Sequence, residues 1–564
     1  MSRSKRLSRS QTPASTKVVV WLVVGTLGLL ALCCAGWLIF APIMEKATQQ
    51  VAPSNPVELT IAYSPEKADL FKALVADFNA QKAQAPDGTR LTVKIVELEP
   101  DAMVAGAVAG NLQALSPDSS VWLGQVDRAW ADAHNGEGTV VGATTRYAVS
   151  PVVIAMWRDV AQSMGYPDKP LGWGDLLAKA QSDPNFKWSH PSTTSASGLL
   201  ATLAEFYAGA GKTRGLTDED VQAQRTLEYV SAIEKTVRYY GEGEWPIAQR
   251  VVQQGRSYLD AFVCSEQIVV WARGKGADLV AIYPAEGALW QDHPLALLEQ
   301  PGLTDAQRMT FARFSDFVRS PEAQKKVLEL GYRPADLDIS LSSAGSPIRA
   351  ENGVDPAQPK TSLQIPAPAV LQTVQQTWWA TKRRANIMLV VDTSGSMQGD
   401  KITNVKQALR IFVEQIQNDQ ERVGMVLFSS QVYGTLQPRE LRTNRQSLYS
   451  TIDSIQAGGN TALLDGVRVA YNQLQTLNDK DRINAIVVMT DGLENNSSIS
   501  LSRLTDYMRS SNQTGAPVAV FAIAYGKDAD YKTLKSLADS TGGQVREGSL
   551  ETIRQLYKIL STYF

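Results

Sequence analysis

A chain of 564 residues exceeds one ordinary hydrophobic core, and about 150 residues per domain points to more than two structural units. With 44% hydrophobic and 20% charged residues the composition is globular and can bury sizeable cores. A formal net charge of -2 gives no reason to expect a polyanion, so nucleic acid is excluded as the expected partner.

The first local departure from that balance is residues 1–17, a basic tail carrying Arg3, Lys5, Arg6, Arg9 and Lys17 and no acidic residue. It precedes an uncharged stretch from Val18 to Met44. At about 1.5 Å per residue a helix of this length reaches roughly 40 Å, enough to cross a hydrocarbon core of about 30 Å with some tilt. Trp21 and Trp37 stand near its ends as interfacial anchors, and the basic flank predicts a cytoplasmic N-terminus with everything from Glu45 onward outside. A cleaved signal peptide or a lipid-modified cysteine fits less well. Leu32 precedes Cys33, and apolar residues continue through Trp37, Leu38, Ile39 and Phe40, where cleavage should have ended them. The expectation is an uncleaved single-pass anchor in the cytoplasmic membrane. Cys264 is then the lone extracytoplasmic cysteine, which leaves no internal disulfide there.

After a polar spacer, residues 45–56, "VELTIAYSPEKADLFKALVADFNAQ" reads as strand, turn and amphipathic helix, and "RLTVKIVEL" alternates as a second strand. "YAVSPVVIAMW" and "ADLVAIYPAEG" repeat the strand grammar. Thr304 is the expected cap of the helix "TDAQRMTFARFSDFV". In "RSPEAQKKVLELGYRPA" Ser320 is an N-cap, Pro321 the first helical residue, and Gly331 the stop. In "HPSTTSASGLLATLAEF" the hydroxyls of Thr193, Thr194, Ser195 and Ser197 precede a strong helix. Such a start either binds an oxyanion or carboxylate through free N–H groups and the helix dipole, or is a capping cluster without a ligand. Ser64, at the end of the first strand, is a further candidate by the same logic. Trp122, Trp130 and Trp271 are candidates for a cleft lining or for the core.

Together these segments, in their order over residues 57–339, resemble the type II extracellular solute-binding proteins of ABC transporters. The resemblance implies two α/β lobes hinged around a cleft that takes a small solute. The hydroxyl cluster makes an anionic solute the expected one.

From Ser340 to about Pro368 the composition shifts to Ser, Ala, Pro and Gln, as in a linker or wrapping strap. "AVLQTVQQTWWATKRR" follows, with Val370, Val374 and Trp378 at helical spacing for docking on a neighbouring domain; linker and docking helix together span residues 340–384.

Residues 385–564 alternate buried strands ("NIMLVVD", "RVGMVLFSS", "INAIVVMTDG", "PVAVFAIAYG") with helices that end in "ETIRQLYKIL". This predicts a mostly parallel, doubly wound sheet with ligands at the carboxyl ends of its strands. Polar residues fall where strands end: Asp392, Ser394 and Ser396 in "VDTSGSM", Thr461 in "GGNTALLDG", and Asp491 in "MTDG". Oxygen donors without nearby His or Cys suit a hard cation such as Mg2+, with Mn2+ or Ca2+ as alternatives. A capped turn alone would account for one hydroxyl, not for Thr461 and Asp491 at separate strand ends. The segment resembles a von Willebrand factor A domain, and these residues match the metal-ion-dependent adhesion site of that family. The resemblance implies coordination through Ser394, Ser396 and Thr461, with Asp392 and Asp491 acting directly or through water. It also implies an open position that accepts a carboxylate from a protein partner. Glu494 and Asp465, close by in sequence, read as helix caps or solvated groups.

The expected function is a membrane-anchored extracytoplasmic binding protein. The alternative is a solute receptor for ABC-type transport or signalling with the C-terminal domain as docking module. An enzyme is not expected: no nucleophile elbow, zinc-binding His pair or phosphate loop is present, and His134, His190 and His293 are the only histidines.

Overall fold

In the computed structural model of the chain the strand expected at "VELTIAY" forms as β1 (Val57–Tyr63). The structure describes residues 57–136, 138–343, 345–526, 528–549 and 563. The basic tail, the expected membrane span, the spacer after it and the helix expected at "ETIRQLYKIL" lie outside the described residues. No helix among the described residues is long and apolar enough to cross a membrane.

The chain lays down β1, β2 (Leu91–Glu97), β3 (Ala114–Ser116) and β4 (Val141–Arg146), then crosses to a second sheet as β5 (Ala148–Trp157). That sheet is extended by β6 (Trp188–Pro191), β7 (Tyr240–Gly241), β8 (Ala261–Ser265), β9 (Leu279–Ile282) and β10 (Trp290–Gln291). The chain then returns to the first sheet as β11 (Pro294–Leu298), and β12 (Arg333–Pro334) pairs with β5. The first sheet has the order β2-β1-β3-β11-β4, and the second runs β10-β5-β8-β6-β7. Two lobes joined by the crossings at β4/β5 and β10/β11 follow from this path. The anticipated caps form: Thr304 and Gln307 make a reciprocal capping box, and Ser320 caps the helix Pro321–Glu329.

The third sheet contains β13 (Ala385–Asp392), β14 (Arg422–Phe428), β15 (Val432–Glu440), β16 (Ile483–Thr490), β17 (Val518–Tyr525) and β18 (Gln544–Gly548). Its order is β15-β14-β13-β16-β17-β18, parallel except for the edge strand β15. Both faces are buried, with Ile387, Leu389 and Val391 in one cluster and Met388 and Val390 in another. The all-apolar run of β13 therefore reads as a central strand.

The segment after Ser340 is a strap held to the second lobe. Ala281 N–H donates to Gly353 O (2.7 Å), Leu363 N–H to Ala288 O (3.0 Å), and Tyr207 Oη–H to Gln364 O (2.6 Å). The helix Pro368–Thr381 then buries Val370, Leu371, Val374 and Trp378 against helices that include Ala196–Ala210 and Gln224–Glu234. One hydrophobic cluster continues from the second lobe through this docking helix into one face of the third sheet. Tyr239 meets Phe521 edge-on at 6.2 Å between ring centroids, and Arg383 N–H donates to Tyr240 Oη (2.8 Å). The C-terminal domain is packed on the lobe, not suspended from it.

Candidate functional site

The polar cluster of the third sheet arises at its topological switch point. From β13 the chain passes to β14 on one side, and β16 lies on the other, so their carboxyl ends leave a crevice between diverging connections. Asp392 ends β13 and Asp491 follows β16. Asp392 Oδ1 accepts from Ser394 N (2.7 Å) and its Oδ2 from the Thr490 hydroxyl. Ser394 Oγ lies 3.0 Å from Ser396 Oγ, and Ser396 donates to Asp491 Oδ1 (2.6 Å). The other oxygen of Asp491 pairs with the Lys401 ammonium.

Thr461 reaches the same crevice on a pinned loop. Gly458 N–H donates to Thr393 O (2.7 Å), Gly395 N–H to Gly459 O (2.9 Å), and Ala462 N–H to Ser429 O (2.8 Å). Gly459 has φ +88°, and a β-carbon there would stand 2.7 Å from Ser430 Oγ, so the turn requires glycine. Gly492 brings the strands' ends together: a β-carbon built on it would lie 3.2 Å from Thr461 Oγ1 and 3.4 Å from Ser396 Oγ. Asp392, Ser394, Thr461 and Asp491 are buried, while Ser396 is exposed and opens the cluster to solvent. Burial pushes Asp392 above the usual carboxylate range, against the hydrogen bonds from Thr490 and Ser394.

Donor chemistry fits a hard divalent cation: two carboxylates and three hydroxyls, no nitrogen or sulfur, at the open end of a crevice. Sequence reasoning overlooked Thr490, which holds Asp392, and Lys401, the local cation. Lys401 sits on the helix Asp400–Gln415 and becomes a neighbour of Asp491 only through the fold. Tyr525 was also missed; burial, with Asp491's charge, pushes it to about 12. Glu494 and Asp465 form a latch instead of joining the cluster. Glu494 accepts from Leu464 N (3.0 Å) and Ser497 N (2.7 Å), and Asp465 accepts from Ser498 N (2.7 Å).

Between the two N-terminal lobes lies a second polar region. Ser64 Oγ accepts from Asp118 N (3.2 Å), and buried Lys67 donates to Ser116 Oγ (3.2 Å) and Pro117 O (2.6 Å) beside Asp118 (3.6 Å). His293 Nδ1 stands 3.5 Å from Asp118, and Glu66 Oε2 is buried without a hydrogen-bond partner. From the opposite lobe Glu244 takes Ser265 N (2.8 Å), the Ser265 hydroxyl and the Ser197 hydroxyl. Burial raises Glu66 well above the carboxylate range, raises Glu244 to about 7, and lowers Lys67 to about 8. Next to this network a cavity of about 130 Å³ is lined by Glu66, Asp69, Trp245, Gln267, Trp271 and Tyr332.

The hydroxyl cluster divides between capping and this network. Ser195 Oγ caps the helix Ala196–Ala210 by accepting from Gly198 N (3.2 Å), and Ser197 faces Glu244. Thr193 is buried and Thr194 half-buried. Of the donors that sequence reasoning offered to an anionic solute, Ser195 is thus spent on the helix and Ser197 on Glu244, a carboxyl group of the chain itself. Trp271 lines the cavity, Trp122 is buried, and Trp130 stacks on His134 at 3.9 Å.

Comparison with known proteins matches residues 386–558 to the family model of the von Willebrand factor type A domain, and residues 59–333 to that of the bacterial extracellular solute-binding protein. An uncharacterized protein of Mycobacterium tuberculosis strain H37Rv is 21% identical over 548 residues, covering 88% of this chain and 74% of that protein. Among solved structures, the sulfate-binding protein SubI of Mycobacterium tuberculosis aligns with 17% identity and a TM-score of 0.37, over 50% of this chain and 88% of SubI. A von Willebrand factor type A protein from Catenulispora acidiphila aligns with 18% identity and a TM-score of 0.28, over 32% of this chain and 42% of its own.

Proposed function

We propose that this chain, a fusion of a solute-binding-protein-like region with a von Willebrand factor A domain, is an extracytoplasmic binding protein anchored through residues 18–44. In this reading its Asp392 cluster holds Mg2+ and, through it, a carboxylate of a protein partner. The observation that carries the reading is the convergence of Asp392, Ser394, Ser396 and Asp491 in one hydrogen-bonded chain with Thr461 beside it. These residues would hold the ion, and the ion would supply a positive point at the surface. Lys401 neutralises Asp491 in the metal-free chain and is one-third exposed, so it can turn to solvent. Leu493 (62% exposed) and Tyr433 (52%) flank the cluster and offer apolar contact around a central charge. Both matched families are named for binding modules, in keeping with a non-enzymatic role. Calorimetry should detect Mg2+ or Mn2+ binding to the wild-type chain and none to Asp392→Ala. Equal partner capture from source membranes with EDTA and with Mg2+ would end the metal-bridge reading.

A second reading concerns the interlobe cleft, where the partnerless Glu66 Oε2 and the Trp245, Trp271 and Tyr332 lining favour a small solute with N–H donors or positive charge over an anion. Native mass spectrometry of protein purified from its source would test it. A retained anion would overturn the charge assignment.

A further inference from the structure

The C-terminal domain is docked over a cluster that neither the metal-bridge nor the solute reading uses. His190 lies on β6, Glu205 on the helix Ala196–Ala210 and Glu234 at the end of the helix Gln224–Glu234; all are fully buried. One donor atom from each lies within 4.8 Å of the others, and no other group of at least three His, Cys, Asp or Glu side chains converges so among the described residues.

The hydrogen bonding around these side chains is that of prepared ligands. His190 Nδ1 is 2.8 Å from Pro191 O, which can only accept, so Nδ1 carries a proton and Nε2 is the nitrogen free to face the carboxyl groups. Nε2 faces Glu234 Oε2 at 3.3 Å, a contact that a proton bridges in the metal-free chain and that a cation can bridge in its place. Glu234 is itself oriented by Trp378 Nε1–H (2.6 Å) and Tyr240 Oη–H (2.7 Å). Both oxygens of Glu205 are buried, and the one group they meet is the neighbouring carboxyl of Glu234. Native proteins seldom leave a buried carboxyl group so, and a bound ion is one of the few remedies.

We infer that His190, Glu205 and Glu234 form a second cation site, for a divalent ion of the Zn2+ class, which staples the docking helix and the entry of the C-terminal domain onto the second lobe. One imidazole and two carboxylates suit that ion, and a backbone carbonyl behind the ligating histidine is its common outer-shell partner. Tetrahedral bonds of about 2.0–2.2 Å set donor atoms roughly 3.3–3.6 Å apart, so ligands that span up to 4.8 Å in the metal-free chain close by about an ångström on binding. The staple follows from connectivity. Glu234 is bonded to Trp378 of the docking helix, and Tyr240, its other donor, accepts from Arg383 N–H at the threshold of β13.

The site is sealed, so the ion enters as the chain folds. The test is to refold the full-length chain carrying Asp392→Asn, which silences the Asp392 cluster, with Zn2+, then desalt it and count zinc by elemental mass spectrometry. One zinc per chain is expected. Adding Glu205→Gln, near-isosteric with the protonated acid, should reduce it at least tenfold and speed amide exchange in the helix Pro368–Thr381. No zinc in the Asp392→Asn chain, or equal zinc with and without Glu205→Gln, would overturn the inference. If Glu205→Gln does not fold, X-ray absorption of the zinc-loaded Asp392→Asn chain decides: one imidazole with oxygen ligands supports the site, and a sphere without imidazole refutes it. The Asp392 reading is judged separately, by Mg2+ calorimetry on the chain carrying Glu205→Gln alone.

Discussion

The Asp392 cluster and the interlobe cleft obey one topological rule and come out differently. Each gathers polar side chains from loops beyond the ends of parallel strands. In the Asp392 cluster, hydroxyls stand beside two carboxylates at an open rim, and a partly exposed Lys401 supplies the local positive charge. In the cleft, Lys67 pairs with Asp118 and Glu244 with Ser265 deep in the interior, while Glu66 Oε2, Asp118 Oδ1 and both ring nitrogens of His293 are left without a hydrogen bond. The lesson is that exposure separates the two: at the rim an ion can displace Lys401 from Asp491, whereas the unpaired groups of the cleft are buried in the interior.

The contrast breaks most visibly at Lys67. Lys67→Ala leaves Asp118 buried without its cation and should cost about 3–5 kcal/mol in urea unfolding of the full chain. A loss below about 1 kcal/mol would show that the cleft is not internally neutralised.

Glu244 gives the next largest effect. Its folded pKa is raised by burial from the ordinary 4.5 to about 7, so the folded state binds more protons than the unfolded state between those values. Its contribution is therefore present in full below 4.5 and lost as pH rises to about 7, a change of roughly 3 kcal/mol. Glu244→Gln should flatten stability across that window, as measured by chemical denaturation at a series of pH values.

At the Asp392 cluster, Mg2+ at a hundred times its dissociation constant should stabilise the C-terminal domain by about 2.7 kcal/mol. Asp392→Ala should remove this dependence, and EDTA should lower the melting temperature of the wild type alone. The domain should stay folded without metal, because its sheet is buried on both faces.

The smallest and sharpest test compares two hydroxyls. Ser195→Ala removes a helix cap and should cost about 1 kcal/mol of stability. Thr461→Ala should leave metal-free stability nearly unchanged and weaken Mg2+ binding in calorimetry. Interchanged outcomes would reverse the assignment of cap and ligand.

How much of this was legible in the chain differs residue by residue. Thr304, Ser320 and Pro321 announce their helices because capping is a local exchange between a side chain and N–H groups within one turn. The apolar run before Asp392 announces a central strand because a strand buried on both faces has no polar side to alternate with. Strand ends rich in hydroxyl and carboxylate groups were likewise readable, since their positions depend on strand order and local turns. What sequence could not decide was occupancy. Ser195 and Ser197 look as available as Ser394 and Ser396 until the fold makes the first a helix cap and brings Glu244 to the second. Lys401 and Thr490 become partners of Asp491 and Asp392 only in three dimensions, across sequence separations of 90 and 98 residues. Nor does any spacing join His190 to Glu205 and Glu234, or either to Trp378, 144 residues beyond Glu234. Local chemistry determined the elements and the polar character of their ends, because those depend on near neighbours. Which polar groups are satisfied and which remain to bind was decided by tertiary packing, because desolvation and charge pairing depend on whatever the fold places within a few ångströms.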